Sequence, residues 1–191
     1  MGSVLARLLE SLTFKIERNK KTSLILLIPA IFLIIWSLLI IVFPLTQPPG
    51  TIYLGNEGKV NIADNAEYIN SHITNPIARG IYLIGDIMCH QHADRSYFIG
   101  GNQMPFCARC TGIFLGLTIG MIIGTIFKVE IGVGLYILTL LPMALDGVIQ
   151  LLTPYESTNL VRLLTGLLVG TFTSLVLCYI YYDTHDSTSR K

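Results

Sequence analysis

The chain has 191 residues, enough for one domain, and 52% of them are apolar against 13% charged, a balance that suits a fold whose solvent is the bilayer. The formal net charge is +1, no basic block is spaced to follow phosphates, and no aromatic residues are interleaved with one, which excludes nucleic acid as a partner.

Residues 1–22 read as a basic amino-terminal segment carrying Arg7, Lys15, Arg18, Lys20 and Lys21. No small-residue cleavage site accompanies the apolar run that follows, so that run reads as an uncleaved membrane anchor. Residues 23–43 contain no charge. At about 1.5 Å per residue they are long enough to cross a hydrocarbon core of roughly 30 Å. Pro44, Pro48, Pro49 and Gly50 end this helix, and residues 44–75 form a polar exposed loop with room for short local structure only.

A motif-bearing membrane bundle is expected over residues 76–182. Pro76 to His92 has a helical pattern with Pro76 suited to a first turn, but its apolar part is short and contains Asp86, so it either spans or dips into the membrane and returns. After a polar turn from Ala93 to Pro105, clear spans are predicted at Thr111 to Phe127 and Ile131 to Leu152, joined by a tight turn at Lys128 to Glu130. A loop from Thr153 to Asn159 leads to the last span, Leu163 to Tyr182, and residues 183–191 are a polar tail. The expected fold is an all-α polytopic membrane helical bundle in the cell membrane, with four clear transmembrane helices plus one short helix or re-entrant segment.

Gly112, Gly116, Gly120 and Gly124 recur every fourth residue and share one helix face, and Gly166 and Gly170 offer a matching face on the last span. This favours tight intramolecular packing, and a homo-oligomer through the glycine faces would use the same surface.

Of the four cysteines, Cys178 lies deep in an apolar run and reads as packing. Cys107 and Cys110 stand three apart just before a helix, where the positive end of the helix dipole stabilises thiolates. With Cys89, His90 and His92 upstream, the two clusters supply three sulfur and two imidazole donors, enough for a tetrahedral Cys3His zinc site. Helical spacing pairs Cys89 with His92 rather than His90. The Cys107 end of one span and the loop after the next must lie on the same membrane side. Asp146 and Gln150, four apart on one helix face, therefore approach the cysteines together with Glu156, Asn159 and Arg162. An intramembrane Asp needs a partner, and Arg162, Arg95 and Arg109 are the candidates.

The combination of Cys89-His90-Gln91, Arg95-Ser96, Pro105-Phe106-Cys107-Ala108-Arg109-Cys110-Thr111-Gly112, Asp146-Gly147-x-x-Gln150 and Glu156-Ser157-Thr158-Asn159-x-x-Arg162-x-x-Thr165-Gly166 resembles a family of small membrane proteins of unknown function. The resemblance covers Tyr82 to Gly170 and implies His90 as the ligand, which agrees with helical geometry if the helix ends at Cys89 and the chain turns there. His92 is the reserve.

The leading expectation is a zinc site held by Cys89, His90, Cys107 and Cys110 beside catalytic candidates Asp146, Glu156 and Arg162. Arg95, Arg109, Gln150 and Asn159 would contact a lipid or other anionic small-molecule ligand. Four bound ligands would make the metal structural and leave Glu156 as base; three would leave a position for an activated water. A membrane thiol oxidoreductase using Cys107 and Cys110 with Cys89 as relay, and a non-enzymatic scaffold or transporter, are the alternatives. Neither a nucleotide-binding loop nor a hydrolase triad is present.

Overall fold

The computed structural model describes residues 11–18 and 24–188; parts of the basic amino-terminal segment and of the polar tail lie outside them. A short strand β1 (Phe14–Arg18) precedes helix α1 (Leu24–Val42), which a 3-10 turn extends through Thr46. The polar stretch beyond it contains α2 (Ala66–His72), α3 (Pro76–Met88), and the two-residue strands β2 (Phe98–Ile99) and β3 (Asn102–Gln103). Helix α4 (Ala108–Ile126), strand β4 (Phe127–Ile131), α5 (Val133–Leu152) and α6 (Asn159–Thr188) complete the chain. Among the described residues four helices are long and apolar enough to cross a membrane: α1 with its extension, α4, α5 and α6. The protein is a multi-pass helical membrane protein.

The small sheet decides the path of the chain. β1, ahead of α1, pairs antiparallel with β4, after α4, in the register Phe14↔Ile131 through Arg18↔Phe127. The start of α1 and the end of α4 therefore share one end of the bundle. The end of α1, all of residues 47–107 and the start of α4 share the other, so α3 does not cross. Hydropathy predicts a tight turn at Lys128 to Glu130 and no strand near Phe14; the strands form because both segments alternate apolar and charged residues with opposite charges in register, Lys15 opposite Glu130 and Glu17 opposite Lys128.

Mid-membrane contacts fix the helices. The Ser37 and Thr118 hydroxyls lie 2.8 Å apart where α1 crosses α4, and Ser174 on α6 donates to the Leu117 carbonyl at 2.8 Å. A Cβ placed on Gly112, Gly116 or Gly120 would overlap the carbonyl oxygen of Leu163, Leu167 or Thr171, so α4 and α6 touch backbone to backbone, as only glycine allows. Helix α5 sits outside this pair. Its buried residues are Thr139 and Asp146, while Ile137, Leu138, Leu141 and Leu145 face outward to lipid.

Residues 47–107 form a cap with its own core: Ile52, Leu54, Ile69, Ile73, Ile81, Tyr82 and Phe106 pack against Ile40 and Phe43 at the end of α1. The stretch expected as an exposed polar loop is thus anchored by its apolar residues and by buried amides. Asn102 accepts from the Thr51 and Ile52 N–H groups at 2.9 and 3.0 Å and donates toward the Pro44, Gln47 and Pro48 carbonyls. Gln103 accepts from Leu54 N–H at 2.8 Å.

Candidate metal centre and adjoining cavity

Two turns bring the sulfurs together. Helix α3 stops at Met88 and Cys89 is extended (φ −141°, ψ 150°), so the chain leaves the helical path where the His90 reading requires it. Gln91 follows with a left-handed φ of 49° and a fully buried side chain that donates to the Tyr82 carbonyl at 2.9 Å and the Pro105 carbonyl at 2.8 Å. It ties the turn at Cys89 to the turn that starts α4. Gly85 makes room, since a Cβ there would strike both Gln91 Nε2 and the Pro105 oxygen. Ligand spacing gives Gln91 no role; its place in the Cys89-His90-Gln91 motif is the sequence signal that marks it.

Cys107 caps the start of α4, and its N–H donates to Cys89 Sγ at 3.3 Å. The Cys89, Cys107 and Cys110 sulfurs all lie within 4.8 Å of one another, and all three thiols are free. Three sulfurs at that separation can hold a metal ion. The Cys110 and Cys89 thiols donate to Cys107, and with the N–H groups opening the helix they hold Cys107 far below the usual thiol range. Its partner role, and burial, push the Cys89 thiol up to about 11. Cys178, buried far from this group, touches Met121.

His90 is exposed and outside the three-sulfur group, though it lines the same cavity. His92 is committed elsewhere. Its Nε2 lies 3.0 Å from the Gly58 carbonyl, and its Nδ1 is 3.9 Å from an Asp94 oxygen. A carbonyl only accepts, so Nε2 carries the proton.

The sulfurs form part of the wall of a cavity of about 320 Å³, which Arg95, Arg109, Arg162 and Gln150 also line. Arg109 pairs with buried Asp146, and Gln150 Nε2 donates to the same carboxylate at 3.4 Å, as the four-residue spacing predicts. Arg95 Nε stands 3.6 Å from Asp94. Arg162 is only 3% exposed; its Nη1 donates to Asn159 Oδ1 at 3.3 Å, and its Nη2 has no hydrogen-bond partner among the described residues. Asn159 in turn donates to the Ser96 carbonyl at 3.1 Å, fastening the start of α6 to the cap. Asp146 and Asn159 join the cavity through Arg109 and Arg162, whereas Glu156 is exposed on the α5–α6 connection and is not among the residues that line the cavity.

Residues 89–176, the stretch that supplies these groups, match the family described as predicted membrane protein (DUF2085). An uncharacterised protein of Methanocaldococcus jannaschii is 38% identical over 108 residues, which cover 54% of this chain and 69% of the relative. The chain belongs to this family. A second relative, an uncharacterised protein of Methanothermobacter thermautotrophicus, is 35% identical over 86 residues, covering 44% of this chain and 78% of its own. No solved structure matches. The DUF2085 match begins at Cys89 and takes in both cysteine turns, Asp146 and Arg162, while α1 and most of the cap precede it.

Proposed function

We propose that this protein is a membrane metalloprotein in which Cys89, Cys107 and Cys110 hold a zinc-type ion at the wall of a cationic cavity that receives an anionic ligand. The observation that carries this reading is the three sulfurs within 4.8 Å of one another in a cavity shared with Arg95, Arg109 and Arg162. A soft, three-sulfur donor set suits zinc among divalent ions. With three protein ligands the ion would supply Lewis-acid chemistry to a ligand in the cavity. His90, on the cavity wall, is the candidate for a fourth ligand. Asp146 acts as a positioning residue through Arg109, and Asn159 through Arg162; Glu156 has no part in this arrangement.

Metal analysis of protein purified in mild detergent tests the reading. About one zinc per chain is expected, falling severalfold in Cys110→Ser and retained in His90→Ala. A metal-free wild type with reduced, fully titratable thiols overturns it.

A second reading, thiol–disulfide exchange, is favoured by the depressed Cys107 thiol. There Cys107 and Cys110 would form one disulfide, passing two electrons and two protons to a quinone or a partner disulfide. The same sample separates the two: metal-free protein whose Cys107–Cys110 disulfide titrates reversibly with dithiothreitol supports exchange.

For sidedness, Arg7, Lys15, Arg18, Lys20 and Lys21 precede α1, and Lys128 lies between α4 and α5. Positive charge stays in the cytoplasm, so the cap and cavity face outward. Lys59→Cys in the cap should react with a membrane-impermeant maleimide on intact cells, and failure to label until lysis reverses the orientation.

A further inference from the structure

We infer that the anion received by the cavity is the phosphate of a membrane lipid, with the headgroup against Arg162 and the acyl chain along the outer face of α4. This rests on the cationic cavity of the proposed function and not on its metal.

Charge supplies the first part. Arg95 stands beside Asp94 and Arg109 is paired with Asp146, whereas Arg162 has no carboxylate within ion-pair distance among the described residues. An arginine 97% removed from solvent, its Nη2 without a partner among the described residues, is costly to keep unless an anion completes it. Phosphate fits the fork of an arginine, which can give it two parallel hydrogen bonds.

Shape supplies the second part. A smaller apolar groove of about 100 Å³ lies beside the cavity, lined by Met88, Phe106, Cys110, Ile113 and Phe114. Met88, Cys110 and Ile113 line both spaces, so the polar chamber continues into an apolar track. Ile113 and Phe114 lie in the second turn of a membrane-crossing helix, and the exposed Met88 of α3 lines the groove with them. The track therefore opens at the level where acyl chains begin. A soluble phosphate needs the chamber alone; a lipid phosphate uses both.

Trp36, the single tryptophan, reports on the track because its ring packs 5.8 Å from Phe106 and 5.7 Å from Phe114. Full-length protein in neutral detergent is titrated with phosphatidic acid carrying a brominated acyl chain, with brominated phosphatidylcholine, and with inorganic phosphate as competitor. Saturable quenching by phosphatidic acid is expected, at concentrations about tenfold below those needed for phosphatidylcholine. Arg162→Gln should shift the phosphatidic acid curve about tenfold to higher concentration and leave the phosphatidylcholine curve in place, one lost charge-assisted contact being worth about that factor. Arg162→Lys should fall between them and serves where the glutamine variant does not fold. Equal quenching by the two lipids in the wild type overturns the inference, as does a folded Arg162→Gln protein with an unshifted curve. Displacement of the lipid by equimolar inorganic phosphate would assign the site to a soluble anion and also overturn it. Zinc measured on the same samples keeps the two readings apart: metal-free protein that still prefers phosphatidic acid sinks the metal centre alone, and zinc-loaded protein without that preference sinks the lipid alone.

Discussion

The two ends of the bundle each hold an ion pair between neighbouring segments, and they differ in what surrounds it. At the sheet end, Lys15 and Glu130 are 3.6 Å apart with side chains 65% and 40% exposed. At the cap end, Arg109 and Asp146 bond with side chains 28% and 5% exposed, and Gln150 joins the same carboxylate. Water screens the first pair and largely satisfies its members apart, whereas the second has no such alternative. The sheet end is thus a solvated clasp, and the cap end is a polar interior whose charges must be answered by other groups. What sets the cap end apart is that one of those charges, on Arg162, has no carboxylate within ion-pair distance among the described residues.

The largest effect should come from breaking the buried pair. Asp146→Ala leaves the Arg109 guanidinium without its carboxylate beside two further arginines, and should cost about 3 kcal/mol, the lower end for a buried pair because Arg109 is partly exposed. The thermal unfolding midpoint in detergent checks this. A variant as stable as the wild type would mean that solvent reaches the pair and that the contrast between the ends is false.

Next in size is the amide knot under the cap. Asn102→Ala strands the Thr51 and Ile52 N–H groups and removes the donor facing three carbonyls, a loss of about 2 kcal/mol after water re-enters at the exposed edge. The loss should be local. Limited proteolysis should cut within residues 44–65 while the membrane helices stay folded; uniform sensitivity along the chain would show that the cap has no independent core.

How far these distinctions can be read from sequence differs by element. Membrane spans are legible because hydrocarbon demands long uncharged runs, and 23–43 and 131–152 fall within two residues of α1 and α5. α4 and α6 begin a few residues before the apolar spans that start at Thr111 and Leu163, because Ala108 to Cys110 and Asn159 to Arg162 are more polar turns whose backbone is helical all the same. The cysteines and Arg162 could be brought together from the hairpin rule alone, because it depends only on which end of a span a residue occupies. Which arginine meets Asp146 could not: Arg95, Arg109 and Arg162 all reach that corner, and small rotations of α4 decide it. The position of Glu156 off the cavity wall has a related reason, as a loop position fixes the membrane side of a side chain but not its direction. The β1–β4 pairing was legible in principle from two five-residue alternations of complementary charge, hidden by the stronger hydropathy signal on either side.

A subtler probe of the cap is pH. Asp86 is buried at the end of α3, and that burial raises its carboxyl above the ordinary value of 3.8, although hydrogen bonds from Asn65 N–H and Nδ2 pull it back. The fold therefore prefers the protonated acid. The stability this adds is complete below the unfolded value and is lost as pH rises through the higher folded value. Asp86→Asn, neutral throughout, should gain on the wild type in unfolding midpoint as pH goes from 4 toward 7. A constant gap over that range would mean the Asn65 bonds fully offset burial.

The smallest effect should be at the sheet end, and its smallness is informative. A double-mutant cycle on Lys15→Ala and Glu130→Ala should return a coupling of about 0.5 kcal/mol or less, vanishing at high salt, because both side chains reach water. The strand register would survive, since it is held by backbone pairing from Phe14 to Arg18 and by Val129 and Ile131 buried against Leu175. A coupling several times larger, and insensitive to salt, would mean that the clasp is shielded by the headgroup layer. In that case a charge pair would hold the sheet end in register much as Asp146 holds the cap end, and the uncompensated arginine would remain as what separates the two ends.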